Sequence, residues 1–87
     1  MTERYSLDQY IHQAEQALQY GKEQLELGMR QEHYNIMEYS DAQLQLEETA
    51  VSLQKMMHNA NAEQRERVER TLAQLRHLQH QMITTPH

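Results

Sequence analysis

Apolar and small residues recur along the chain in alternating steps of four and three. A first series runs Leu7, Ile11, Ala14, Leu18, Gly21, Leu25 and Gly28. A second runs Ile36, Tyr39, Gln43, Leu46, Ala50, Leu53, Met57 and Ala60, and a third takes in Val68, Leu72, Leu75, Leu78 and Met82. Steps of four and three average 3.5 residues, close to one helical turn, so each series marks one face of a helix that packs along a narrow seam. Leu44 and Val51 broaden the second stripe, as expected of a helix that touches more than one neighbour.

The boundaries of the three helices are marked by capping residues. Ser6 followed by Gln9 fits a capping box, with Tyr5 and Tyr10 placed as a hydrophobic staple. Asn35 followed by Glu38 repeats the pattern, with Tyr34 and Tyr39 as its staple, and Asn61 with Gln64 forms a third after the small polar stretch Asn59-Ala60. These signals predict helices over about 7–31, 36–58 and 62–83, the last ended by Thr84-Thr85-Pro86 because the residue before a proline avoids helical angles. No glycine or proline interrupts 29–35, so a single long helix paired with the third is the alternative. The expected fold is all-α: a single helical domain over 1–87, built as a three-helix hairpin or bundle with coiled-coil-like antiparallel packing.

Composition agrees with helix and limits the core. Gln, Glu, Leu, Ala and Met dominate, with only two Gly, one Pro and few β-branched residues, which leaves a strand reading without support. There is no Phe and no Trp among the 87 residues, so burial rests on ten Leu, three Ile, two Val and six Met. So thin an inventory predicts that the chain gains stability by self-association, a dimer being favoured.

Thirteen acids against eight Lys and Arg give a net charge of −5, which disfavours nucleic acid and anionic membrane as bulk partners. The charges are unevenly placed. Between residues 7 and 54 nine acids face two bases, Lys22 and Arg30, whereas from 61 to 87 three acids face four arginines. The third helix is therefore expected to be drawn electrostatically to the first two. Its arginines form no single basic stripe, since on a helical wheel Arg67 and Arg70 point away from Arg65 and Arg76. Cysteine is absent, no apolar run approaches the length of a membrane span, and no signal peptide follows the N-terminal residues, so a cytoplasmic location is expected.

Candidate chemistry is sparse. Ala14, Gly21 and Gly28 lie seven apart on the first seam. For Gly21 this predicts close approach of a neighbouring helix, while Gly28 fits a close approach or a C-cap equally. His77 and His80 are three apart, but the nearest acid on their helix, Glu69, lies two turns before His77, and His12, His33, His58 and His87 show no ligand spacing. Ser6, Ser40 and Ser52 lack a Gly-rich turn, and the adjacent Glu47 and Glu48 project roughly 100° apart on a helix, as solvated surface rather than an acid–base pair. No catalytic, cofactor-binding or metal-binding residue is assigned, no cofactor is expected, and the chain is read as a non-enzyme.

The segments from Glu32 to Glu48 (EHYNIMEYSDAQLQLEE) and from Asn59 to Ile83 (NANAEQRERVERTLAQLRHLQHQMI) resemble the small YtzC-type proteins of Bacillus and relatives, an uncharacterised family of about this length. The resemblance implies a bacterial cytoplasmic protein and transfers no active site. The small helical aspartyl-phosphate phosphatases of sporulating bacteria are also hairpins of this size, but their Ser-x-x-x-Asp signature is missing; Ser6-Leu7-Asp8 has the wrong spacing. The function expected is that of a structural or protein–protein interaction module that self-associates or binds a partner helix. The alternative is an oligomeric nucleic-acid-binding or signalling regulator.

Overall fold

The computed structural model describes residues 2–30 and 35–85, with side chains from Leu7 onward. Three helices account for nearly all of them: α1 (Thr2–Arg30), α2 (Ile36–Met56) and α3 (Ala62–Thr84), with one 3₁₀ turn at Met57–Asn59 after α2. The partners show how they run. Along α1 and α2, Gly21 lies beside Leu46, and Tyr20 beside Asp41, so the two are antiparallel. Along α1 and α3 the partners rise together, Asp8 with Arg67 and Gly21 with Leu78. All three pairs of helices are in contact, which makes an up-down-up bundle of triangular section. Its long dimension of 45 Å is set by α1, whose 29 residues at about 1.5 Å each span most of it.

Because α1 and α2 pack along each other, the single long helix is ruled out; the joint between them lies outside the described residues. The caps explain the other boundaries. Asn35 sits in extended conformation and its Oδ1 accepts from the backbone N–H of Met37 at 2.9 Å and of Glu38 at 3.2 Å. Asn61 makes the full box: its Oδ1 accepts from Gln64 N–H at 2.8 Å, and Gln64 Oε1 accepts from Asn61 N–H at 3.0 Å. Thr85, extended before the proline, closes α3 by donating its N–H and its hydroxyl to the carbonyl of Gln81. At the other end the expected start at Ser6 is wrong: α1 begins at Thr2, and Ser6 lies within it. Thr2, Glu3 and Arg4 include no helix breaker in the sequence. The side chains of the Tyr5–Tyr10 staple and of Tyr34 fall at least partly outside the described ones.

The seams of α1 and α3 are buried as expected. Leu7, Ile11, Ala14, Leu18, Gly21, Leu25 and Gly28 are all buried, as are Val68, Leu75, Leu78 and Met82, with Leu72 half-buried against them. Gly28 lies inside α1, so it is not the residue that terminates the helix. On α2 the outcome differs in part. Tyr39, Ala42, Leu46, Ala50 and Leu53 are buried, but Ile36, Leu44 and Val51 are exposed. The widening of the α2 stripe therefore does not reflect a second covered face; only the arc toward α1 and α3 is buried.

Two contacts fix the packing. A Cβ built on Gly21 would stand 2.8 Å from Leu78 Cδ2 and 3.2 Å from Leu46 Cδ1, so the glycine admits side chains from both neighbouring helices at once. Tyr39 is in the core, as its place on the α2 seam predicts, and its hydroxyl donates to the carbonyl of Met82 at 2.6 Å; its staple with Tyr34 lies outside the described residues. That carbonyl belongs to the last turn of α3, where no intrahelical donor remains for it.

Replacing Gly21 by Leu should force Leu46 and Leu78 apart and cost about 1–3 kcal/mol or more, lowering the thermal midpoint by more than roughly 5 °C. Gly21→Ala should cost far less, since a gain of about 1 kcal/mol in helix propensity offsets the shift of two leucine methyls at the ends of flexible side chains. Circular-dichroism melts of the two variants test the pair. Tyr39→Phe should lose about 1–3 kcal/mol in urea unfolding, because the Met82 carbonyl is left without its buried donor.

Candidate functional site

The residues that sequence reasoning weighed for chemistry are dispersed. His12, His58, His77 and His80 are exposed on different parts of the bundle, and among the described residues no three His, Cys, Asp or Glu side chains are grouped as for a metal ion. Ser40 is exposed and Ser52 half-buried. Buried polar atoms are few; Gln24 is the one polar side chain in the core, with its Oε1 unbonded among the described residues. No described helix is long and apolar enough to cross a membrane.

The arginines of α3 are committed to the fold. Arg67 Nη1 pairs with Asp8 on α1 at 2.9 Å, and Arg76 Nη1 with Glu47 on α2 at 2.9 Å. Arg65 donates to the carbonyl of Met57 at the end of the 3₁₀ turn, and Arg70 lies 3.9 Å from Glu66 on its own helix. The attraction expected between α3 and the acidic α1 and α2 is thus realised in two cross-helix pairs. A basic face for nucleic acid is not assembled on α3.

Glu47 is the centre of one small network. Its Oε1 accepts from Gln79 Nε2 at 2.8 Å and from Arg76 Nη1 at 2.9 Å, and that same Nη1 donates to Gln79 Oε1 at 2.9 Å. The Gln79 hydrogen bond, followed by that of Arg76, holds the Glu47 carboxyl below its ordinary value. On the opposite side of α2, Tyr20 donates to the carbonyl of Glu38 and to Asp41 Oδ2, both at 3.3 Å. Desolvation, and next the Asp41 charge, push its phenol pKa up. Tyr20 separates two shallow grooves. One, between α1 and α2, is walled by amides and acids such as Gln13, Gln16, Gln45 and Glu48; the other carries Met37, Asp41 and Leu44.

That second groove opens onto the feature that sequence reasoning misplaced. Met37, Leu44 and Val51 are 78%, 55% and 36% exposed. They repeat at seven residues, as do the buried Tyr39, Leu46 and Leu53. The two rows are offset by two residues, about 200° around a helix, and so occupy opposite faces of α2. That offset was present in the sequence and is the signal that separates a second face from a wider first one. The other large exposed apolar side chains, Met29, Ile36 and Ile83, stand at the end of the bundle where α1 and α3 finish and α2 starts.

Among the described residues this three-helix bundle groups no reactive side chains as for a metal ion, and comparison with known proteins places it in a family of unknown function. The chain belongs to a family described as protein of unknown function (DUF2524), whose model matches residues 1–84. It is 46% identical over 83 residues to the uncharacterized protein YtzC of Bacillus subtilis (strain 168), covering 95% of this chain and 92% of the relative. The YtzC-type resemblance of the two quoted segments therefore holds over almost the whole length. No solved structure matches the chain.

The Glu47 network yields a pH dependence of stability. Its carboxyl binds a proton less readily folded than unfolded, so its contribution is complete above the ordinary value of 4.5 and is lost as pH falls through the lower, folded value. Wild type should therefore lose more stability than Glu47→Gln between neutral pH and pH values below about 4.5. Urea midpoints at both ends of that range measure it; an unchanged gap between the two proteins would contradict the assignment.

Proposed function

We propose that this chain is a non-catalytic interaction module that binds a helix of a partner protein along the outer face of α2. The row of Met37, Leu44 and Val51 supports this reading above all. Single exposed apolar residues are ordinary, but three in register leave an apolar edge about 21 Å long on one helix. Methionine at its start suits a surface that must adapt to another side-chain set. The seams that motivated an expectation of self-association are filled from within one chain, so burying them requires no second copy. The arginines that a nucleic-acid regulator would need are occupied by Asp8, Glu47, Glu66 and the Met57 carbonyl, which favours the protein-binding reading over that alternative.

Leu44→Glu tests the face without disturbing the core, and its folding stability should stay within about 0.5 kcal/mol of wild type. In capture from Bacillus subtilis extract, a partner retained by wild type should be depleted about tenfold on Leu44→Glu and on Met37→Glu, a loss equivalent to about 1.4 kcal/mol. Gln74→Glu, an exposed change on α3, should retain it. Identical captured sets for all four proteins would reject the outer face of α2 as a binding surface.

A further inference from the structure

We infer that the occupant of this face is an amphipathic helix whose apolar edge is flanked by lysine or arginine, and not a second copy of this chain. The inference rests on the reading of the α2 outer face given above and concerns what that face selects. Its apolar row is bordered by acids. Asp41 and Glu48 lie along the edge toward α1, and Glu47 along the edge toward α3, all three exposed. Glu47 is offset by Arg76. Asp41 accepts from neutral donors, the Tyr20 hydroxyl and the Gln45 amide at 3.0 Å, and these orient its carboxylate without cancelling its charge. Among the described residues neither Asp41 nor Glu48 is in an ion pair. One base, Lys55, stands a turn beyond Val51 at the far end of the face.

The same pattern opposes self-pairing. Two copies laid antiparallel, with a two-fold axis near Leu44, bring the Asp41, Glu47 and Glu48 rows of one against those of the other. Parallel copies set the Glu47 edge of one against the Asp41 and Glu48 edge of the other. Acid against acid at helix-packing distance is repulsive, and choice of partner at such flanking positions is set by charge. A basic-flanked helix gains opposite charges at the same positions and is steered to the face by the net negative charge of the chain.

Three synthetic helices of about 18 residues, crosslinked to hold the helix and labelled for fluorescence anisotropy, test this with the full chain. All carry leucines at seven-residue spacing, and their flanks are Lys, Glu or Gln. The Lys-flanked peptide should bind at least about tenfold more tightly than the Glu-flanked one, weaken with added salt, and lose about tenfold on the double change D41N and E48Q. Its binding should disappear on Leu44→Glu. Equal affinity for the Lys- and Glu-flanked peptides, or binding of the Lys-flanked peptide undiminished by Leu44→Glu, would overturn the inference. So would a dimer seen by light scattering that Leu44→Glu dissolves, since the occupant would then be a second copy. If no peptide binds while Leu44-dependent capture stands, the partner chemistry is refuted and the binding face survives. If capture is indifferent to Leu44, the face itself is refuted.

Discussion

Leu46 and Leu78 approach each other where Gly21 places nothing between them, and the packing of all three helices depends on that space. A chain without Phe or Trp has few large side chains with which to fill a wide interhelical gap, so the gap itself must be narrow. Small residues make it so: Gly21 is joined in the core by Ala14 and Ala17 on α1 and by Ala42 and Ala50 on α2. Bringing the backbones together lets leucines interlock across the bundle. The dispersion contacts thus formed offset the roughly 1 kcal/mol that a mid-helix glycine costs.

Leucine seams alone define which faces meet but tolerate sliding, because one leucine ridge resembles the next. Polar ties between α3 and its neighbours set the register. Arg67 meets Asp8 toward the start of α3, Arg76 and Gln79 meet Glu47 further along, and Tyr39 meets the Met82 carbonyl at the far end. The first two are exposed and individually worth little. The third is buried, so a slip of one residue would leave a hydroxyl and a carbonyl unpaired at a cost larger than the bond itself contributes. The arginines used in these ties have a second consequence. They neutralise Asp8 on α1 and Glu47 on α2, whereas Asp41 and Glu48 on the outer edge of α2 are among the described acids that stand in no ion pair.

Most of this architecture was legible in the sequence because it follows local rules. Helix content, the Asn35 and Asn61 caps, the end before Pro86 and the close approach at Gly21 each depend on residues within a turn or two, or on one seam. The failures are positional competitions that local rules do not decide. Ser6 has the chemistry of an N-cap, yet nothing upstream stops the helix, and propagation from Thr2 wins. Tyr39 satisfies the spacing of a staple and also lies on the seam of α2. The seam position is the one the structure describes, and there the phenol finds a free carbonyl at the end of α3. No pattern in the chain announces that carbonyl, since it becomes a partner only after the helices have met.

The α2 helix shows why a candidate interface is harder to read than a core. A seven-residue repeat states that a face is apolar; it does not state that anything covers it. In a bundle of three, each helix has two neighbours, and these cover an arc wide enough for Tyr39, Leu46 and Leu53 but not for a row some 200° away. The fold therefore asks for no apolar side chain at 37, 44 or 51, and a polar residue at any of them would leave the core contacts as they are. Leu44 is 55% exposed, so the isolated chain realises only part of its hydrophobic gain, while an apolar side chain fully buried is worth about 1.5–3 kcal/mol before the costs of association. Where so few large aliphatic residues are available, a row of them at 37, 44 and 51 outside the core is what the proposed partner helix would account for and the folding of the three helices does not.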